Sequence, residues 1–180
     1  MHTPRVRPGR APTPGPSILS PSAGTSATQQ LTAIKFDHRN ELRGFLNHST
    51  HRVMYEQKIY PTALHLLEAL KFKHQHPDLA ERIRKCKDVN EVYTLSAGMQ
   101  EHVRSDWGNV FLKVTEEVLY HKFKQHPDLR SLLLNTGIAD LVYADAHTYW
   151  GEGPLGDGAN ELGKALVRVR DKLRAEGYGI

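Results

Sequence analysis

Glu68 and Lys71 place an acid and a base one helical turn apart in a leucine-rich segment. At about 100° per residue, Leu64, Glu68 and Lys71 share one stripe of a helix whose core face is Ala63, Leu66, Leu67 and Leu70. An acid and a base beside an apolar surface suit proton transfer, and the same spacing equally suits a solvated face. A second candidate stretch runs from Trp150 to Gly163. Its Gly151, Gly153 and Gly156 spell G-x-G-x-x-G, but Pro154 interrupts the pattern and too few residues follow for the second strand of a βαβ unit. The physics of such a loop outlives the failed fingerprint. Glycines let backbone N–H groups approach an anion, and a following helix N-terminus adds positive potential, so the stretch is read either as a phosphate cradle or as a structural turn.

Other chemistries find less support. No H-E-x-x-H occurs among the histidines, the pairs His48/His51 and His74/His76 fall in expected loops, and Glu117/His121 lacks the Glu-x-x-His spacing of carboxylate-bridged metals. No metal and no cofactor is expected. There is no nucleophile elbow or P-loop, and Cys86 lies near a charged helix end without an evident base.

These groups need elements to hold them. Ile34, Phe36 and Val53-Met54-Tyr55 suggest short strands around the turn-like Asn47-His48-Ser49. Tyr60-Pro61-Thr62 opens a helix reaching about Lys73, with proline expected in its first turn. Trp107, Val110, Phe111, Val114, Val118, Leu119 and Phe123 follow helical spacing over several turns, the strongest such signal in the chain. Asp140–Ala144 reads as a strand leading into the glycine-rich loop, and Leu162, Ala165, Leu166, Val169 and Leu173 as a closing helix. Two similar segments, 71–79 and 122–129, share His-Pro-Asp-Leu, which marks one helix ending and another starting. The expected fold is α+β and mainly α-helical, a single compact domain with a few short strands.

Charge and composition narrow the classes. Of 180 residues, 24 are basic and 20 acidic, giving +4. Residues 1–30 carry Arg5, Arg7 and Arg10 and no acid, so 21 bases and 20 acids remain and residues 31–180 hold only +1. A basic nucleic-acid-binding domain fails on that arithmetic. Residues 1–30 also hold six of the ten prolines and few large apolar side chains, and are expected to be a disordered tail preceding a domain at 31–180. The tail resembles a mitochondrial presequence in charge, but its prolines break the amphipathic helix such a presequence needs. No membrane-spanning stretch is present, and a single cysteine suits a reducing, intracellular compartment, cytoplasmic or nuclear.

Several segments together resemble the NADAR (YbiA-like) family. Gly44-Phe45-Leu46-Asn47-His48 is similar to the family's Phe-Leu-Ser-Asn-Phe stretch. Tyr60-Pro61-Thr62-Ala63-Leu64-His65-Leu66-Leu67-Glu68-Ala69-Leu70-Lys71-Phe72 resembles its Tyr-Pro-Thr-x-Glu-His-x-x-Gln-Ala-x-Lys-Phe helix. Trp107, Trp150-Gly151-Glu152-Gly153, Gly158-Ala159-Asn160-Glu161-Leu162-Gly163 and Val169-Arg170 match its later motifs. The likeness spans about residues 34–174.

The resemblance implies an α+β domain that binds ribosylated nucleotides and cleaves N-glycosidic bonds. The bond would lie in ribosylamino-pyrimidine phosphates or in ADP-ribose attached to guanine, ADP-ribosylated nucleic acid included. It implies a ligand-binding set of Asn47, His65, Trp107, Trp150, Gly151, Gly153, Gly156, Gly158 and Asn160. The departures fall on the acids. The family's helix glutamate is Leu64 here, with Glu68 one turn on; its aspartate before Trp-Gly is His147, with Asp145 two residues earlier. Glu68, Lys71 and Asp145 are therefore the candidate catalytic residues if the acids have relocated, and a silent ADP-ribose-binding module is the alternative. Cleavage at C1′ builds oxocarbenium charge that a carboxylate stabilises, while the leaving nitrogen needs a proton and the water a base. Lys71 can instead bind phosphate, or attack an opened ribose as a neutral amine. Trp107 and Trp150 can stack on a base or serve as plain core residues.

Overall fold

The computed structural model describes residues 32–179, so the expected disordered tail at 1–30 lies outside the described residues. In chain order the elements are β1 (Ile34–Phe36), a 3-10 turn (Glu41–Phe45), β2 (Val53–Tyr55), β3 (Lys58–Tyr60), α1 (Ala63–Leu70), α2 (Pro77–Arg84), α3 (Val89–Ala97), a second 3-10 turn (Gln100–His102), α4 (Trp107–Gln125), α5 (Pro127–Asn135), β4 (Leu141–Tyr143) and α6 (Glu161–Ala175). The mainly helical α+β expectation holds. β1 pairs in parallel with β4, Ile34 opposite Leu141, and β2 pairs antiparallel with β3, Val53 opposite Tyr60.

Local chemistry accounts for most boundaries. Thr62 caps α1 by accepting the His65 N–H on its side chain, so Pro61 stands just outside the helix and not in its first turn as expected. Pro77 and Pro127 open α2 and α5 at the first helical position, where no N–H is needed, each followed by an acid in the first turn. The β2–β3 hairpin turns on Glu56 and Gln57, both at positive φ (45° and 64°), a conformation usually left to Gly or Asn.

Two apolar cores result. The first gathers α1, α2 and α3 with the hairpin, around Leu66, Phe72, Ile83 and Val92. The second joins β1, β4, α5 and α6 around Phe36, Phe45, Phe123, Leu133 and Leu166. Its aromatic centre packs edge to face, Phe45 lying 5.7 Å from Phe36 and 5.5 Å from Phe123. Helix α4 serves both, with Val118 in the first core and Leu119 and Phe123 in the second. The 46–49 segment, from here the strap, runs along the seam between them: Leu46 is packed in the second core, and the Asn47 carbonyl accepts the Leu64 N–H of α1 at 2.8 Å.

Candidate active site

All eight residues of α1 are buried, which removes the solvated-face reading of Glu68. Its carboxylate, 7% exposed, is held from two sides. The Ser96 hydroxyl of α3 donates to Oε2 at 2.5 Å, and Lys71 Nζ ion-pairs with the same oxygen at 2.6 Å. Among the described residues Oε1 accepts no hydrogen bond. One carboxylate oxygen is thus anchored by protein, and the other is left for solvent or a bound group.

Glu68 opens onto a 210 Å³ cavity at the seam of the two cores. Leu46, Leu64, Leu67 and Leu162 give it apolar wall; Asn47, His48, Glu68, Tyr93, Tyr143, Asp145, His147 and Trp150 give it chemistry. Asn47 Oδ1 is buried and has no hydrogen-bond partner, a cost that a ligand donor would remove. Asp145 follows β4 and accepts the His147 N–H on Oδ1 at 2.8 Å. Burial, then the Asp145 charge, pushes the Tyr143 phenol up to about 12, so it remains a donor at any physiological pH. Burial and then Glu68 also raise Tyr93. His48 is held below its ordinary value by burial, then by Lys122 and His38. The volume suits a sugar-sized group, below the roughly 300 Å³ at which cavities for whole drug-sized ligands begin.

Of the expected site residues, Asn47, Glu68, Asp145 and Trp150 meet in this cavity. Lys71 joins indirectly through Glu68, and Trp107 stands behind it, its ring centroid 5.8 Å from Lys71 Nζ. His65 is not on the cavity wall. It is 1% exposed, with Nδ1 on Thr62 Oγ1 and Nε2 on the Cys86 carbonyl, and it ties α1 to the end of α2.

The glycine-rich loop departs most from expectation. The N–H groups of Gly151, Gly153, Gly156 and Gly158 donate to the carbonyls of His147, Asp145, Gly153 and Glu152, and those of Glu161 and Leu162, opening α6, go to Tyr149 and Trp150. The amides of these four glycines are thus spent within the loop, and none of them is free for a phosphate. The glycines are there for space: a Cβ on Gly151 would stand 2.9 Å from the Asp145 carbonyl, and one on Gly158 would collide with the Gly151 and Glu152 backbone. Asn160, in the left-handed region at φ 51°, accepts the Tyr143 N–H and donates to the Leu141 carbonyl, at 2.9 and 2.8 Å, so it splints β4 to the start of α6 and is not among the residues lining the acid-bearing cavity. Through Asn160 and the Asp145 carbonyl the loop instead sets where Asp145 and Trp150 stand. Sequence reasoning missed Tyr93 and Tyr143. No motif marks Tyr93 on α3, whereas Tyr143 sits in the expected strand two residues before Asp145.

Fold and site together define a small α+β domain with an acid-bearing, sugar-sized cavity at the seam of two cores. The sequence profile of the NADAR domain matches residues 27–174, and the chain belongs to that family. It is 32% identical over 149 residues to N-glycosidase YbiA of Escherichia coli (strain K12), covering 82% of this chain and 92% of that protein. It is 31% identical over 143 residues to Riboflavin biosynthesis protein VVA0006 of Vibrio vulnificus (strain YJ016), covering 78% of this chain and 38% of that one. The NMR structure of E. coli YbiA superposes with a TM-score of 0.73 at 32% identity, over 82% of this chain and 88% of the other. No helix among the described residues is long and apolar enough to cross a membrane.

Proposed function

We propose that this chain hydrolyses the N-glycosidic bond of a ribosylated base, of the ribosylamino-pyrimidine phosphate or ADP-ribosylated guanine type, with Glu68 and Asp145 as its acids. One observation carries the reading. Both family acid positions filled otherwise here, Leu64 and His147, line the same cavity as the nearby acids Glu68 and Asp145. An acid moved by one turn, or by two residues of loop, therefore still addresses the same bound group.

In this reading the C1′–N bond breaks as positive charge grows on the sugar, and the spare Glu68 oxygen stabilises that charge. Water forms the new C1′–O bond and gives up a proton to one carboxylate, while the leaving nitrogen takes one from the other acid or from solvent. Lys71 and Ser96 hold Glu68 in place, which makes Lys71 a partner of the carboxylate rather than a nucleophile. Asn47 Oδ1 is matched by a ribose hydroxyl, and Trp150 by the face of the base.

The second reading, a module that binds ADP-ribose without turnover, draws on Leu64, an apolar wall where the family's helix bears its acid. Incubating the chain with ribosylamino-pyrimidine phosphate and with ADP-ribosylated guanosine decides between them. Release of free base, abolished in Glu68→Gln, is the expected result. Tight ADP-ribose binding without base release from either substrate would give the place to the binding module.

A further inference from the structure

With the N–H groups of Gly151, Gly153, Gly156 and Gly158 bonded within the loop, groups that could partner an anion are found elsewhere along the seam. A 260 Å³ cavity adjoins the acid-lined one and shares Leu46 and His48 with it. Its polar wall is His38, Arg43, His48, Ser49, Thr50 and His51, with no carboxylate among the lining residues. Arg43 belongs to the first 3-10 turn, is exposed, and forms no ion pair among the described residues; the nearby Asp37 is already taken by Arg39 at 2.9 Å.

Beneath the strap lies Lys122 of α4, fully buried, whose Nζ donates to the Leu46 carbonyl and to Ser49 Oγ, each at 2.7 Å. Burial alone brings it down to about 7, and no acid faces it. His48 and His51 are both lowered, by burial first and then by Lys122, with His38 and His126 adding to the effect. Asp145 opposes it weakly at His48. Basic groups thus gather at one wall with no carboxylate in its lining, and an anion bound there would favour their charged forms.

We propose that this cavity binds the phosphate of a ribosyl phosphate whose anomeric carbon occupies the neighbouring acid-lined cavity. The substrate assignment rests on the function proposed above. In a ribosyl 5′-phosphate the scissile bond at C1′ and the C5′ phosphate arm stand on the two ring carbons that flank the ring oxygen, a few ångströms apart, so the two groups can fall into adjoining cavities. Arg43 supplies a permanent charge on a planar fork of donors suited to phosphate, and each imidazole retains an N–H donor even when neutral. Leu46 and His48, common to both walls, then hold the sugar between acid and anion sites.

The test uses the full chain with three probes: ribose 5-phosphate, ribose and inorganic phosphate, read by calorimetry and by the histidine ring signals in NMR. Ribose 5-phosphate is expected to bind at least tenfold tighter than ribose. Arg43→Ala should remove most of that difference without changing ribose affinity or the melting temperature, and Arg43→Lys should restore part of it. Both phosphate probes should move the His48 and His51 signals. Wild-type affinity for ribose 5-phosphate in Arg43→Ala, or unmoved His48 and His51, would overturn the anion site. The same histidine shifts with ribose 5-phosphate no tighter than inorganic phosphate would overturn its assignment to a ribosyl phosphate. Binding alone is read in every arm, so the anion site stands or falls even if the chain cleaves nothing.

Discussion

Helix α1 and the loop from Asp145 to Asn160 invert each other's appearance. The helix carries ordinary charged residues at an ordinary spacing, yet it is wholly buried and holds a carboxylate with a spare oxygen beside the unpartnered Asn47 Oδ1. The loop has the glycines of a ligand-gripping element, yet its glycine amides and the Asn160 side chain are satisfied within the protein. Unspent hydrogen-bonding capacity is therefore a better guide to a site than the residue types that usually build one. The loop's part is positional, since it carries Asp145 and Trp150 to the wall that Glu68 faces.

The largest effect should come from the loop and appear in folding. Gly158→Ala drives a Cβ into the backbone of Gly151 and Glu152, which cannot yield as a flexible side chain would. A loss of about 3 kcal/mol or more in denaturant unfolding is expected. Near-wild-type stability with weakened ligand binding would restore the loop as a binding element and break the contrast.

The helix side is tested by turnover. Glu68→Gln keeps shape but leaves Lys71 without its counter-ion, so a lower melting temperature is expected in a still-folded protein whose base release falls on the order of 100-fold. Leu64→Glu, on the same wall, should recover part of the activity in that background. Full activity in Glu68→Gln would make Glu68 a structural partner of Lys71 and Ser96 alone.

Lys122 extends the contrast to the strap. Its native pKa, about 7 against the ordinary 10.5, means that above pH 7 the folded protein holds it neutral while the unfolded chain still binds the proton. Stability from this group accordingly rises with pH between about 7 and 10, by at most about 1.4 kcal/mol per pH unit. Lys122→Met should flatten that slope, read as the wild-type-minus-variant difference in melting temperature from pH 7 to 9. The raised Cys86, Tyr55 and Tyr143 act with the opposite sign at alkaline pH and cancel in the difference. Identical slopes would show that Lys122 is charged in the native state.

The smallest effect belongs to Gly156. A Cβ there meets nothing within 4 Å, and only its φ of +75° resists a side chain. Gly156→Ala should cost about 1–2 kcal/mol and leave turnover unchanged. A large loss of activity would place ligand against the loop tip.

Much of this is legible in the sequence. The apolar periodicity of α4 and α6, the His-Pro-Asp-Leu punctuation ahead of α2 and α5, and the strands β1, β2 and β4 are local signals, and the elements lie close to where those signals put them. β3 is not, because its hairpin turns on Glu56 and Gln57 rather than on the residues that normally adopt positive φ. Asn47, Glu68, Asp145 and Trp150 are legible as candidates because a motif names the residue that stands at a position.

A motif does not say where a polar atom points. His65 and Asn160 sit in the same kinds of segment as the cavity residues, yet their ring nitrogens and amide are used to join α1 to α2 and α6 to β4. Sequence by itself determined most of the elements, though not β3 or α3, and the residue types available for chemistry, because those depend on neighbours a few positions away. Which polar groups were left unspent, and that Glu68, Asp145 and Asn47 share one cavity beside an acid-free basic one, was decided only by packing two cores against α4, since these groups are separated by up to about a hundred residues and meet only when that seam closes.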